Sequence, residues 1–199
     1  MMFSCFKRSF DFVLALVLLI VLSPLLIIIS ILVIMNSSGK VLFTQKRAGK
    51  NNQPFTIYKF RTMVMHTPDN TPTHLLFNAD KYITSIGKFL RRTSLDELPQ
   101  LWNILMGDMS FVGPRPVVMS EVALTAMRTQ LGVSSVRPGI TGLAQVRGRD
   151  TLNYKVKARY DAYYVKHACF LFDLKIVWET LRCVMTGEGI REGKSSHLA

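Results

Sequence analysis

Residues 12–35 read FVLALVLLIVLSPLLIIISILVIM, and the meaning of this stretch decides what kind of protein the chain can be. It contains no Lys, Arg, Asp or Glu and exceeds the run of about 18 apolar residues that marks a candidate membrane helix. Ser23-Pro24 stands at its middle. Proline removes one helical hydrogen bond, clashes with the carbonyl four residues back and disfavours helix at the residue before it. Each half would then be about 18 Å of helix at about 1.5 Å per residue, roughly half of a hydrocarbon core about 30 Å thick. Lys7 and Arg8 precede the segment; Lys40, Lys46, Arg47 and Lys50 follow it. A straight span would leave one basic group on the wrong side of the membrane, whereas a helix-break-helix hairpin broken at Ser23 and Pro24 returns both ends to the cytoplasm. Many spanning helices continue through a proline, so the two readings stand side by side, with the flanking charges favouring the re-entrant hairpin. A cleavable signal peptide fits poorly, because the run is long and no small-x-small site closes it.

Outside that stretch, 199 residues make one domain with a real core. Hydrophobic residues are 49% of the chain, yet 25 Lys+Arg against 13 Asp+Glu give a net charge of +12. The pI is near 9.9. An apolar and strongly basic chain suits phosphorylated substrates at an acidic membrane surface. A nucleic-acid partner is not expected: there is no continuous basic tract, zinc-ligand spacing or aromatic RNA-binding signature. Cys5, Cys169 and Cys183 form no paired motif and read as reduced thiols in a cytoplasmic setting.

Val41-Leu42-Phe43 and Phe55-Thr56-Ile57-Tyr58 read as strands joined by the loop Ala48-Gly49-Lys50-Asn51-Asn52. Residues 63–80 read as a surface excursion and 83–92 as a short helix with a basic end. A helix is expected to start around Thr93-Ser94-Leu95-Asp96-Glu97, with Leu98, Leu101, Trp102 and Leu105 at helical spacing. Another covers 120–131, with Ser120 as cap and Gly132 as terminator. Residues 137–148 read as a Gly/Pro-rich loop, and 151–167 and 170–185 as helices that stop near Gly187. The last helix carries Phe170, Leu174, Val177, Trp178 and Leu181 on one face, fit for a core or for a membrane interface.

Asp96-Glu97 is the local feature with the most chemical potential. One explanation is structural: Ser94-x-x-Glu97 matches a capping box, and acids are favoured in a first helical turn. The other rests on the basic neighbourhood. Arg91, Arg92 and Arg115 flank the pair in sequence, Lys59 and Arg61 come from the expected strand, and Arg137, Arg147 and Arg149 from the Gly-rich loop. Guanidinium groups bind phosphate bidentately, so several could converge on a diphosphate. A carboxylate beside a diphosphate can hold Mg²⁺ or attack phosphorus to give an aspartyl phosphate. No Walker loop, HExxH or GxGxxG pattern competes.

Several stretches together resemble the bacterial sugar transferase family, the monotopic phosphoglycosyl transferases. They are Lys7-Arg8-Ser9-Phe10-Asp11, Ser23-Pro24, Phe43-Thr44-Gln45-Lys46-Arg47-Ala48-Gly49, Lys59-Phe60-Arg61-Thr62-Met63 and the run from Arg91 through Gln100. Gly107-Asp108-Met109-Ser110-Phe111-Val112-Gly113-Pro114-Arg115-Pro116 and the run from Arg137 through Arg149 complete the set. The resemblance implies transfer of a sugar phosphate from a UDP-sugar to undecaprenyl phosphate, with release of UMP and with Mg²⁺ as cofactor. It implies Asp96 as nucleophile, Glu97 as metal support, and Lys59, Arg91, Arg115, Arg149 and Asp161 as further site positions, joined by Arg61 in the substrate-phosphate set. It also implies a re-entrant first helix at the lipid of the bacterial inner membrane. The expected fold is α/β and mainly helical, with amphipathic interfacial helices: a hairpin over 1–39, a cytoplasmic catalytic unit over 40–187 and a tail over 188–199. A homodimer stays open, as do the sugar and the glycan pathway. The resemblance leads one to expect the catalytic unit alone here, whereas many members carry more membrane helices and a further domain. Ala79-Asp80-Lys81-Tyr82-Ile83-Thr84 departs from the Pro and Arg that members often have after this Asp. A glycosyltransferase releasing UDP is the competing enzyme reading.

Overall fold

The computed structural model describes residues 2–64, 81–148 and 151–186. Two helices, α1 (Met2–Val21) and α2 (Ser23–Asn36), meet at a bend of 63°. Pro24 has no N–H for the Ile20 carbonyl, and the Ser23 hydroxyl donates to that oxygen at 2.8 Å. The neighbouring rungs persist, Leu22 N to Leu18 O at 2.8 Å and Leu26 N to Leu22 O at 2.9 Å. The bend is therefore confined to the proline, and the serine satisfies the acceptor that the proline strands. Among the described residues no single helix is long and apolar enough to cross a membrane; the bent pair passes only jointly.

One face of this pair is covered by the rest of the chain. Ala15, with Leu18, Leu19 and Leu22, packs on Phe55, Ile57, Leu101, Ile104 and Met109. Ile29 and Val33 pack on Phe60 and Leu90. The other face is bare: Ile20, Val21, Ile27, Ile28, Ile34 and Met35 are each more than half exposed, an apolar surface out of keeping with water. The charges at the foot of α1 are tied down. Lys7 pairs with Asp173, and Arg8 donates to the carbonyls of Ile104 at 2.6 Å and Leu105 at 3.0 Å.

The expected hairpin forms, with strands longer than its apolar runs. β1 (Leu42–Ala48) and β2 (Pro54–Phe60) are antiparallel, Leu42 opposite Phe60 and Ala48 opposite Pro54. Next come α3 (Ser85–Arg92), a 3₁₀ turn (Leu95–Glu97) and α4 (Gln100–Met106). Asn103 fastens α4 to the strand, donating to Thr56 O at 2.7 Å and accepting from Tyr58 N at 3.1 Å. The C-terminal half holds β3 (Ser110–Val112), α5 (Val122–Gln130), β4 (Gly139–Thr141), α6 (Leu143–Val146), α7 (Tyr154–His167) and α8 (Phe170–Thr186). The architecture is mainly helical with two small sheets, as expected.

Three local expectations are corrected. Residues 137–148 are not simply loop: β4 pairs with β3 in parallel, Ser110 opposite Gly139 and Val112 opposite Thr141, and α6 follows. The glycines serve close backbone approach there; a Cβ on Gly139 would lie 2.1 Å from Gly113 N. Ser120 is not the cap of α5. The helix starts after Glu121, whose carboxylate accepts from Val118 N at 3.2 Å, although Gly132 does end it at φ 74°. The seventh helix begins at Tyr154, capped by Asn153 on Val156 N at 3.0 Å. Of the two readings left open for the apolar face of α8, a core is not what forms: Phe170, Leu174, Trp178 and Leu181 are exposed, Val177 is partly buried, and Asp173 and Ile176 point inward. The expected excursion lies outside the described residues except at Met63, which bridges to Ile83, and at Val64. The region around Gly187 and the tail also lie outside them.

Candidate active site

Asp96 and Glu97 ride on the 3₁₀ turn between α3 and α4. Ser94, just before it, holds φ 56° and ψ 17°, a left-handed conformation that costs a non-glycine residue about 1–2 kcal/mol. Its side chain makes no capping hydrogen bond, and α4 starts after Pro99. The capping box is therefore not formed. The Glu97 carboxylate instead accepts from Lys59 Nζ at 2.7 Å and from Arg115 Nη2 at 3.1 Å, both on Oε1. Lys59 reaches it because β2 runs alongside the turn: Phe60 faces the core and Lys59 points the other way.

Both acids are buried, Asp96 to 8% exposure and Glu97 to 7%. Among the described residues Asp96 makes no ion pair. Burial holds the Asp96 carboxyl above the ordinary carboxylate range, and the charge of Glu97 adds to that; Lys59, Arg91 and Arg115 pull the other way. Burial likewise pulls Lys59 down, against the attraction of Glu97. Arg47 is lowered to about 10 by burial and by the nearby Arg115. The largest cause of each shift is the same, a charge held out of water.

The structure sorts the basic residues that the sequence brings forward. Lys59, Arg91 and Arg115 surround the dyad; Arg91 also donates from Nε to Thr62 Oγ1 at 2.8 Å. Arg61 belongs elsewhere. It is 6% exposed and gives its two terminal nitrogens to the carbonyls of Ser38 at 2.7 Å and Ser37 at 2.6 Å, closing the end of α2. Its terminal nitrogens thus face backbone carbonyls, while Nε is buried without a hydrogen-bond partner among the described residues. Arg137 likewise donates to Gly107 O at 2.7 Å, and Arg147 pairs with Glu179 at 3.1 Å on the surface. Arg149 lies outside the described residues.

Asp161 is 1% exposed and pairs with Arg128 through Nε at 2.9 Å and Nη2 at 2.7 Å. Sequence reasoning missed Arg128, Arg47 and Asn103. Asn103 offered a usable signal, a lone amide between Leu101-Trp102 and Ile104-Leu105 in an apolar helix. Arg128 offered none, since its partner is 33 residues away.

The donor chemistry suits the Mg²⁺ that the family resemblance implies. The adjacent buried carboxylates of Asp96 and Glu97 present hard oxygen ligands. Among the described residues no group of three or more acids, histidines or cysteines gathers to form a full metal cage.

Two buried carboxylates stand among cations at this turn, and the chain is an enzyme of the phosphoglycosyl transferase class. It belongs to the bacterial sugar transferase family, whose model matches residues 2–187, hairpin included. It is 39% identical over 186 residues to a Bacillus subtilis (strain 168) protein named as an uncharacterised sugar transferase, EpsL, covering 94% of this chain and 90% of that one. It is 39% identical over 197 residues to the exopolysaccharide production protein ExoY of Rhizobium meliloti (strain 1021), covering 92% and 87%. An Escherichia coli (strain K12) protein named UDP-glucose:undecaprenyl-phosphate glucose-1-phosphate transferase is 41% identical over 182 residues, covering 88% of this chain and 39% of that protein.

Proposed function

We propose that this enzyme transfers a sugar 1-phosphate from a UDP-sugar to undecaprenyl phosphate, giving undecaprenyl-diphosphate-sugar and UMP as the first membrane step of glycoconjugate assembly. The reaction named for the Escherichia coli relative supports the substrates. One observation supports the covalent route: the two acids are used differently. Glu97 is held by Lys59 and Arg115, while Asp96 sits in the field of Lys59, Arg91 and Arg115 without an ion pair among the described residues.

In this mechanism an Asp96 oxygen attacks the sugar-bearing β-phosphorus. The bond from that phosphorus to the bridging oxygen breaks, and UMP leaves with the electron pair. A phosphate oxygen of the lipid carrier then attacks the same phosphorus and releases the Asp96 carboxylate. Lys59, Arg91, Arg115 and Arg149 bind and orient the phosphates, and burial of the turn keeps water from the acyl phosphate. Asp96 and Glu97 would hold Mg²⁺, which when bound offsets negative charge on the diphosphate.

The same reading places the chain on the cytoplasmic face of the bacterial inner membrane, with the hairpin dipping into lipid and both of its ends cytoplasmic. The bare faces of α1 and α2 support it. So does α8, where Phe170 packs edge-on against Phe6 and Phe10 at 6.1 and 5.6 Å, making its exposed apolar side continuous with α1. Cysteine labelling in intact cells is expected to find both ends protected from the periplasm, and Pro24→Ala to invert part of the population. Periplasmic access at either end of the wild type would overturn the hairpin.

The chemistry is tested by incubating enzyme with labelled UDP-sugar and Mg²⁺ but no lipid. UMP release and a phosphosugar mass adduct on Asp96 are expected, both abolished in Asp96→Asn. Protonation removes the nucleophile and burial raises its pKa. Adduct formation should therefore fall, as pH drops, at a value above the ordinary aspartate pKa of about 3.9. No adduct, together with intersecting double-reciprocal plots, would make Asp96 a metal ligand and the transfer direct.

A further inference from the structure

The loop Pro114-Arg115-Pro116-Val117 is clamped along its backbone by a run of consecutive contacts. Pro114 O accepts from Gly139 N at 2.9 Å, and Val117 O accepts from Ala48 N at 3.0 Å. Between them, Arg115 O accepts from Arg128 Nη1 at 2.8 Å and Pro116 O accepts from Arg47 Nη1 at 3.2 Å. The two prolines have no N–H of their own, so the loop is held through its carbonyls. Arg128 is the contact at the residue that matters for chemistry. It is 8% exposed, projects from α5, and has its other two nitrogens fixed on one oxygen of Asp161 in α7.

Resting on the reading that Arg115 serves the donor phosphate, we propose that Arg128 and Asp161 are positioning residues for Arg115. Asp161 aligns the Arg128 fork, Arg128 fixes the Arg115 carbonyl, and the Arg115 guanidinium is thereby aimed at Glu97 and at the phosphate beside it. A buried guanidinium can make three directed bonds in one plane, which an ammonium cannot. Misplacing a reacting or orienting group by about 1 Å can cost about 100-fold in rate. An interhelical strut between α5 and α7 would predict only a loss of stability.

Arg128→Lys separates the two, because lysine keeps the charge opposite Asp161 but cannot also hold the carbonyl. The expected result is a fall of about 10- to 100-fold in kcat for sugar-phosphate transfer at saturating UDP-sugar, with KM for the donor changed less than about threefold. In an Arg115→Lys background the same substitution should cost less than about threefold more, since the group it aims is gone. Asp161→Asn, the second variant, should show the same coupling to Arg115→Lys. Overall transfer is the readout, so the cycle can be scored whether or not an Asp96 adduct forms. An equal fold-loss in both backgrounds, or a wild-type rate in Arg128→Lys, overturns the proposal. If both single variants fail to fold at a temperature where Arg115→Lys is folded, the pair is a strut and the positioning role is discarded.

Discussion

The foot of α1 and the acidic turn both bury charge, and they do so in opposite ways. At the foot each charge is answered: Lys7 by Asp173, Arg8 by two α4 carbonyls, and Asp173 again by the Tyr164 hydroxyl at 2.8 Å. Gly107, in the left-handed region at φ 93°, ends α4 against Arg8; a Cβ there would stand 3.3 Å from the guanidinium. At the turn, Lys59 and Arg115 share one oxygen of Glu97, Arg91 and Arg47 stand near, and Ser94 carries backbone strain. Charges answered by carbonyls and single partners hold elements in place. Cations that outnumber the acids, held by a strained backbone, make an environment suited to a further anion.

This contrast can be broken most sharply at Arg115. Arg115→Lys retains the charge but loses the planar fork, and we expect transfer to fall by about 100-fold with little change in melting temperature. Wild-type kinetics in this variant would move Arg115 to the structural group. Arg61 is the counterpart. Arg61→Met deletes two charged hydrogen bonds to Ser37 and Ser38 and should cost about 2–4 kcal/mol of stability, seen as a lower Tm. At temperatures where the variant is folded, kcat should stay within about threefold of wild type. A large kcat loss with unchanged Tm would return Arg61 to the phosphate site. The smallest effect is expected at Ser94. Ser94→Gly should leave stability within about 1 kcal/mol of wild type, because glycine accepts positive φ freely but gives up unfolded-chain entropy. Ser94→Val should lose about 1–2 kcal/mol. Equal Tm values for the two variants would remove the strain from the comparison.

How much was legible beforehand follows from the range of each interaction. Pro24 and its serine predict a break, and the break is there, because a missing N–H acts within one turn. The β1–β2 hairpin follows from alternation and its turn from asparagines that tolerate positive φ, although Ala48, expected in the loop, ends β1 opposite Pro54. The loop assigned to 137–148 misled because glycine signals a turn and a close strand crossing alike, and only the approach of Gly113 tells them apart. Ser94-x-x-Glu97 misled for a similar reason. The spacing allows a capping box, but Lys59 and Arg115, 38 and 18 residues from Glu97, draw the carboxylate away.

By itself the sequence determined the break in the apolar segment, the two-stranded ribbon, the paired acids at Asp96 and Glu97 and an excess of cations to surround them. The tertiary structure decided which cations do so. An arginine fork donates equally well to a phosphate, a carboxylate or a backbone carbonyl, so residue type alone cannot separate Arg115 from Arg61 or Arg137. The choice is made by which acceptor the fold brings within about 3 Å: Glu97 for Arg115, the end of α2 for Arg61, the Gly107 carbonyl for Arg137, and Asp161 with the Arg115 carbonyl for Arg128.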